Sequence, residues 1–338
     1  MTLAPLLAVP VACAASAGLI QLLKPWLRRY ALARPNARSS HTVPTPQGGG
    51  LAIVLAALAT AALVPSGAAV GREAAVLALA ILALAGIGAV DDVRPLPASL
   101  RLAVQALAVA GVVAASEGRL LPEIPLAVER GIAVVAGLWF VNLVNFMDGL
   151  DWMTVAEMVP VTATLTLLGC AGWLPPLPTL AAAALLGALL GFAPFNRLVA
   201  RLFMGDVGAL PVGLVVAWLL YRLALAGGLA GAVILPLYPV ADATLTLLWR
   251  ARRGERLGQA HRSHFYQVAT TRGLTVPAIV GTVFALNLAL AALAVATLLW
   301  PSPAVSVACL AGALALVGAV LRRFAGRDRR TTHAEQVP

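Results

Sequence analysis

The 338-residue chain is 61% hydrophobic and only 11% charged, where a water-soluble domain carries about 25% charged residues. That excludes a soluble globular domain and makes the chain a polytopic membrane protein. The net charge of +10 reads as Arg-rich cytoplasmic loops, so no nucleic-acid partner is expected.

Backbone polar groups in lipid must be satisfied within the protein, which leaves helices or a closed barrel. The apolar runs are continuous and about 20 residues long, which predicts helices; barrel strands would alternate over about 10. Eleven runs follow one another at 3–23, 48–65, 73–90, 98–116, 129–147, 154–174, 177–195, 207–226, 229–249, 275–299 and 303–321. The first lacks a basic flank before it and reads as a span rather than a cleaved signal. Cys13, Cys170 and Cys309 stand singly, without metal-ligand spacing. The expected fold class is an all-α polytopic membrane protein with about 11 transmembrane helices. One integral membrane domain covers 1–325, and 326–338 is a short basic polar tail.

Of the 24 Lys and Arg residues, 20 fall in the odd-to-even joints and the C-terminus and 4 on the other side. That split predicts an outside N-terminus and a cytoplasmic C-terminus. The polar clusters then all face the cytoplasm. The first is the loop Pro35 to Gly50, and Asp91-Asp92 end the third span. The others are Asn142 to Asp151 after the fifth, Asn196 to Asp206 between the seventh and eighth, and His261 to Gln267 in the last loop.

The stretch Asn-Leu-Val-Asn-Phe-Met-Asp-Gly-Leu-Asp carries two acids and no Lys or Arg. On a helix, Asn142, Asn145, Asp148 and Asp151 would recur every three residues along one side. Acids held close repel unless a cation lies between them, which suits a metal or phosphate site. Asp91 and Asp92, adjacent on a helix, point about 100° apart and cannot share one role equally. Acids at a helix C-terminus also oppose its dipole.

Asp206 opens a run flanked by Gly205 and Gly208, a setting for phosphate and its cation, or for a simple N-cap. His261, Arg262 and His264 lie in a basic loop that suits anionic substrates or lipid head groups. Glu157 and Asp242 are intramembrane acids, the latter read as structural or supporting. Oxygen ligands without a Cys site point to Mg²⁺, with Mn²⁺ as the alternative.

At these residues the chain resembles the polyprenyl-phosphate N-acetylhexosamine-1-phosphate transferases, glycosyltransferase family 4. The segments are Arg34 to Gly50, Gly88-Ala-Val-Asp-Asp, Asn142 to Asp151, Phe195-Asn, Phe203-Met-Gly-Asp-Val-Gly and His261-Arg-Ser-His, in family order. The first and last look closest to the O-antigen-initiating branch of lipopolysaccharide synthesis. The resemblance implies a phosphoglycosyltransferase of the bacterial inner membrane. It would move an N-acetylated sugar-1-phosphate from a UDP-sugar to undecaprenyl phosphate and release UMP, with Mg²⁺ required.

It also implies Asp91, Asp92, Asp148 and His264 as catalytic residues and Asp206 with Asp92 at the metal. Asn142, Asn145, Asp151, Asn196, His261 and Arg262 would bind substrate, and a homodimer is an expected partner state. Three positions depart from the pattern. Trp152 and Ala209 stand where many members have Gly and Ser, and Tyr266-Gln267 stand where some have histidines. The alternative is a proton-coupled transporter or lipid flippase, which would spread its acids across the bilayer.

Overall fold

The computed structural model describes residues 4–33, 44–64, 71–256, 258 and 261–326. The expected loop residues Arg34, Arg38 and His41, and the tail after Gly326, lie outside them. The chain is an all-α polytopic membrane protein, with one short strand pair among the described residues. Among the described residues nine helices are long and apolar enough to cross a bilayer.

In order the helices are α1 (Ala8–Tyr30), α2 (Gly50–Leu63), α3 (Arg72–Val93), α4 (Ala98–Ala115), α5 (Leu126–Met147), α6 (Met153–Cys170) and α7 (Pro176–Asn196). They continue with α8 (Asp206–Leu223), α9 (Leu229–Ile234), α10 (Leu237–Arg252), α11 (Phe265–Thr271), α12 (Val276–Leu299) and α13 (Pro303–Ala325).

Each of the eleven expected runs is helical, but two fall short of that length. The second forms α2, of 14 residues. The ninth is split: α9 runs on from α8 through a π-helical turn at Ala224–Gly228, and Pro236 separates it from α10. A proline lacks the N–H that would continue the ladder, and Gly227 takes φ 89°, so the helix breaks there.

Prolines and hydroxyls mark the other boundaries. Pro95 and Pro97 separate α3 from α4, and Pro175 precedes α7. Thr275 and Ser302 cap α12 and α13 through side-chain oxygens that accept from Ala278 and Val305 N–H. Helices α6, α7 and α8 form the buried centre. At one end α2 crosses α8 so closely that a Cβ on Gly50 or Gly208 would strike the other's backbone. A short antiparallel pair, β1 (Leu32–Ala33) with β2 (Thr45–Pro46), continues into a bridge between Gln47 and Phe203. This ties the start of α2 to the start of α8, where the polar residues gather.

Candidate active site

Helix α8 begins at Asp206 after Gly205, whose φ of 75° is one that glycine adopts freely. The first turn of a helix leaves unpaired N–H groups. No α8 side chain caps them, so the reading of Asp206 as an N-cap is not what forms. Asp92 supplies the cap from α3: Oδ1 accepts from Asp206 N–H at 2.9 Å and Oδ2 from Val207 N–H at 3.1 Å. Its neighbour Asp91 points elsewhere, accepting from Arg101 Nη1 at 2.6 Å and from Leu96 N–H at 2.6 Å. The 100° divergence expected of adjacent helical residues is thus realised as two different tasks.

The Asp206 carboxylate looks away from the cap. Oδ1 accepts from Asn145 Nδ2 at 2.6 Å, and Oδ2 lies 3.5 Å from Arg101 Nη1. Arg101 therefore sits between Asp91 and Asp206. Sequence reasoning counted it only as a topology charge. Its signal was a cation in the first turn of a helix, where the dipole disfavours it.

The stretch from Asn142 to Asp151 is not one helix. Helix α5 stops at Met147, and a turn carries Asp148 through Asp151 to α6. The regular three-residue drift therefore holds only for Asn142 and Asn145. Trp152 at the turn's end takes φ 67°, the left-handed region that favours the glycine many members have there. Its indole N–H bonds Ala193 O at 2.6 Å and its backbone N–H bonds Asn196 Oδ1 at 2.8 Å. Asn196 also donates to Leu202 O at 3.0 Å, so both ends of its amide serve the loop scaffold. Asp151 Oδ2 accepts from Ala200 N–H at 2.9 Å and holds that loop against the turn.

Two chambers result. The first, about 430 Å³, includes Asp92, Asn145, Asp148, Asp151, Asn196 and Asp206 in its lining. Asp148 is held up to about 7, first by burial and then by the charges of Asp92 and Asp151, against the Thr154 hydroxyl bond at 2.5 Å. The second, about 610 Å³, includes Arg101, Asn142, Asn145, Asp206, His261 and His264. Asn145, Asp206 and Gln267 line both. Asn142 spends its amide hydrogens on Gln105 Oε1 at 2.7 Å and Leu138 O at 2.8 Å.

His261 is pushed down to about 4 by burial and by the nearby His264 and Arg250, so it faces the chamber as a neutral ring rather than a cation. His264 is buried and stacks on it at 4.9 Å. Tyr266 donates to Phe146 O at 2.9 Å and fastens α11 to the end of α5. Arg262 and Asp91 line neither chamber. Trp139 lines both the second chamber and an apolar cavity of about 380 Å³ among α4, α5, α8, α9 and α10.

Among the described residues, no three His, Cys, Asp or Glu side chains are grouped so as to hold a metal ion by themselves. The donor set still fits Mg²⁺, which keeps several waters and takes one or two carboxylates plus substrate phosphate oxygens. Asp206 and Asp148 both line the first chamber and offer oxygen donors.

The sequence bears the same mark. Residues 74–224 match the model of glycosyl transferase family 4. The chain is 32% identical over 216 residues to the decaprenyl-phosphate N-acetylglucosaminephosphotransferase of Mycobacterium leprae (strain TN), covering 56% of this chain and 54% of that protein. It is 24% identical over 275 residues to the Bacillus subtilis (strain 168) protein named probable undecaprenyl-phosphate N-acetylglucosaminyl 1-phosphate transferase, covering 76% and 75%. A third relative, the phospho-N-acetylmuramoyl-pentapeptide-transferase of Mycobacterium leprae (strain TN), is 40% identical over 102 residues, 25% of this chain and 28% of that one. The chain spans about half the length of the mycobacterial decaprenyl-phosphate relatives it matches. The matched segment holds Asp91, Asp92, Asp148, Asp151 and Asp206 and stops before the histidine loop. The part of the chain that is similar to glycosyl transferase family 4 is the segment that runs from the start of α3 to the end of α8.

Proposed function

We propose that the protein is a phosphoglycosyltransferase that moves an N-acetylated sugar-1-phosphate from a UDP-sugar to undecaprenyl phosphate, releasing UMP. The observation that carries this is the pair of chambers meeting at Asp206. An acid-lined chamber adjoins one with Arg and His, and Trp139 lines both the latter and an apolar cavity among the helices. A nucleotide, a phosphate and a prenyl chain need those three environments side by side.

In this reading the nucleotide end of the donor occupies the first chamber, and its diphosphate lies at the shared wall by Asp206 and Asn145. The acceptor enters through the apolar cavity and brings its phosphate monoester to Arg101, which offers a planar fork of donors to phosphate oxygens. Asp206 and Asp148 would hold Mg²⁺, which neutralises phosphate charge when bound. Asp92 keeps Asp206 in place by fixing the first turn of α8. Arg101, held by Asp91 through Nη1, lines the second chamber and would offer its charge to phosphate there. The transfer needs positioning and charge neutralisation more than covalent help.

The working face is cytoplasmic in this reading, with the N-terminus outside, supported by the basic-residue split. The setting is the bacterial inner membrane. The product would open O-antigen or another envelope glycan, as the His261-Arg-Ser-His loop suggests. A transporter would need acids along a path through the bilayer. Here Asp92, Asp148, Asp151 and Asp206 share one chamber. UMP release from a panel of UDP-N-acetyl sugars, with undecaprenyl phosphate in detergent and Mg²⁺ or a chelator, tests the proposal. Release that needs both the lipid phosphate and the metal supports it, and no release with any sugar removes it.

A further inference from the structure

The lining of the first chamber is at odds with the donor assigned to it. Asp92, Asp148, Asp151 and Asp206 line it, and among the described residues no Lys or Arg does. The diphosphate of a sugar nucleotide is anionic near neutral pH, so ionised carboxylates in these walls repel it. Cations stand just outside instead. Leu198, Val199 and Ala200 line the chamber, and they lie between Arg197 and Arg201 in the chain. Both arginines are exposed, and neither forms a salt bridge among the described residues. Asp151 Oδ2 accepts from Ala200 N–H at 2.9 Å and so holds the backbone between them against the chamber.

The end of α1 adds to this group. Lys24 Nζ lies 5.8 Å from the centre of the Phe195 ring, one residue before the chamber-lining Asn196. The charges of Arg28 and Arg201 both act on Lys24. Arg28 is exposed one turn further along α1, and the chain then enters β1, where Ala33 lines the chamber. Two segments far apart in the chain therefore bring Lys24, Arg28, Arg197 and Arg201 to one edge of the same chamber. The topology rule places cations on one side of a membrane; it does not gather them beside one cleft.

We propose that Lys24, Arg28, Arg197 and Arg201 form a capture site for the diphosphate of a sugar nucleotide, which holds the donor at the edge of the first chamber before it enters. The identity of the donor rests on the transfer reaction proposed above. Cations beside a cleft raise the local concentration of an anion and its association rate by about 10–10³-fold, and salt screens the effect. Charge supplies this attraction without a fixed geometry, so Lys serves in place of Arg.

UDP, used in place of the whole donor, probes the site without turnover. Its association with the full chain in uncharged detergent with Mg²⁺ is measured by stopped flow at low and high salt. Arg197→Gln combined with Arg201→Gln should slow association by about tenfold at low salt, the small end of that range, and by little at high salt. Arg197→Lys combined with Arg201→Lys should associate like the wild type. Arg322→Gln combined with Arg323→Gln removes as much charge from the end of α13 and should leave association unchanged. In the transfer assay the first pair should lower the donor kcat/KM by the same factor and leave kcat and the acceptor KM alone. Unchanged UDP association in that pair, an equal loss in the α13 pair, or no binding of UDP to the wild type overturns the proposal. So does a rise in the acceptor KM alone, which would make these cations a lipid anchor. Wild-type protein that binds UDP in this salt-dependent way yet transfers no sugar phosphate removes the reaction and leaves the capture site standing.

Discussion

Asp92→Asn separates the scaffold from the chemistry. In the structure both carboxylate oxygens accept from the first turn of α8, at 2.9 and 3.1 Å. Asparagine keeps one oxygen and turns an NH₂ group toward the other donor. A hydrogen bond to a charged group contributes about 1.5–3 kcal/mol, and a lost helix cap costs about 0.5–2 kcal/mol. Loss of one of the two bonds and of the charge opposite the helix dipole should therefore cost about 2 kcal/mol. At about 2–4 °C per kcal/mol for chains of some 200 residues, melting should fall by roughly 5 °C. Asp92→Ala loses both bonds and should fall further.

Turnover should drop more than stability does, because the first residue of that turn is Asp206, which this account places at the metal. A thermal scan in detergent beside a transfer assay measures both. The reasoning fails if Asp92→Asn melts with the wild type, or if Asp92→Ala melts higher than Asp92→Asn.

Other perturbations probe separate contacts. Arg101→Met should lower turnover at least tenfold and raise the acceptor KM, because its guanidinium lies in the chamber assigned to the lipid phosphate; an unchanged acceptor KM would refute that assignment. In metal-free protein, Asp148 holds its proton to about pH 7 while the unfolded chain releases it near the ordinary carboxylate value. Stability is then greatest below about pH 4 and falls as pH rises through 7, by up to about 1.4 kcal/mol per pH unit. Melting curves at pH 5 and 8 with chelator should show the drop, and Asp148→Asn should reduce it. Trp152→Gly relieves a left-handed residue but removes the indole bond to Ala193, so melting should change by only a few degrees; a collapse of the fold would show that the indole, not the backbone, sets this turn.

The sequence carried the class of fold because lipid leaves the backbone few options, and each apolar run is helical, the ninth in two pieces. It did not carry the break at Pro236, since apolar residues continue across it without a charge. Asp148 and Asp151 were legible because acids at a joint without Lys or Arg are costly to leave unpaired, and Asp91, Asp92 and Asp206 because they fall at the same face. Their tasks were not. Asp92 and Asp91 are adjacent in the chain yet serve α8 and Arg101, a difference set by which helix packs opposite. Asn196 reads as a ligand-binding amide; it lines the first chamber and also joins Trp152 to Leu202, a contact that the sequence did not carry. Arg101 went unnoticed because an arginine at a membrane edge already has an explanation in topology. Asp242 was legible as a supporting acid, but its hold on α11 depends on contacts more than 20 residues apart.

The central claim is that phosphorus moves with the sugar. A UDP-N-acetyl sugar labelled on its β-phosphorus, incubated with the protein, undecaprenyl phosphate and Mg²⁺, tests it directly. The account predicts that the label enters the lipid phase in step with the sugar, that UMP is the uridine product, and that Asp206→Asn abolishes both. Label retained on UDP while the sugar alone reaches the lipid would contradict it.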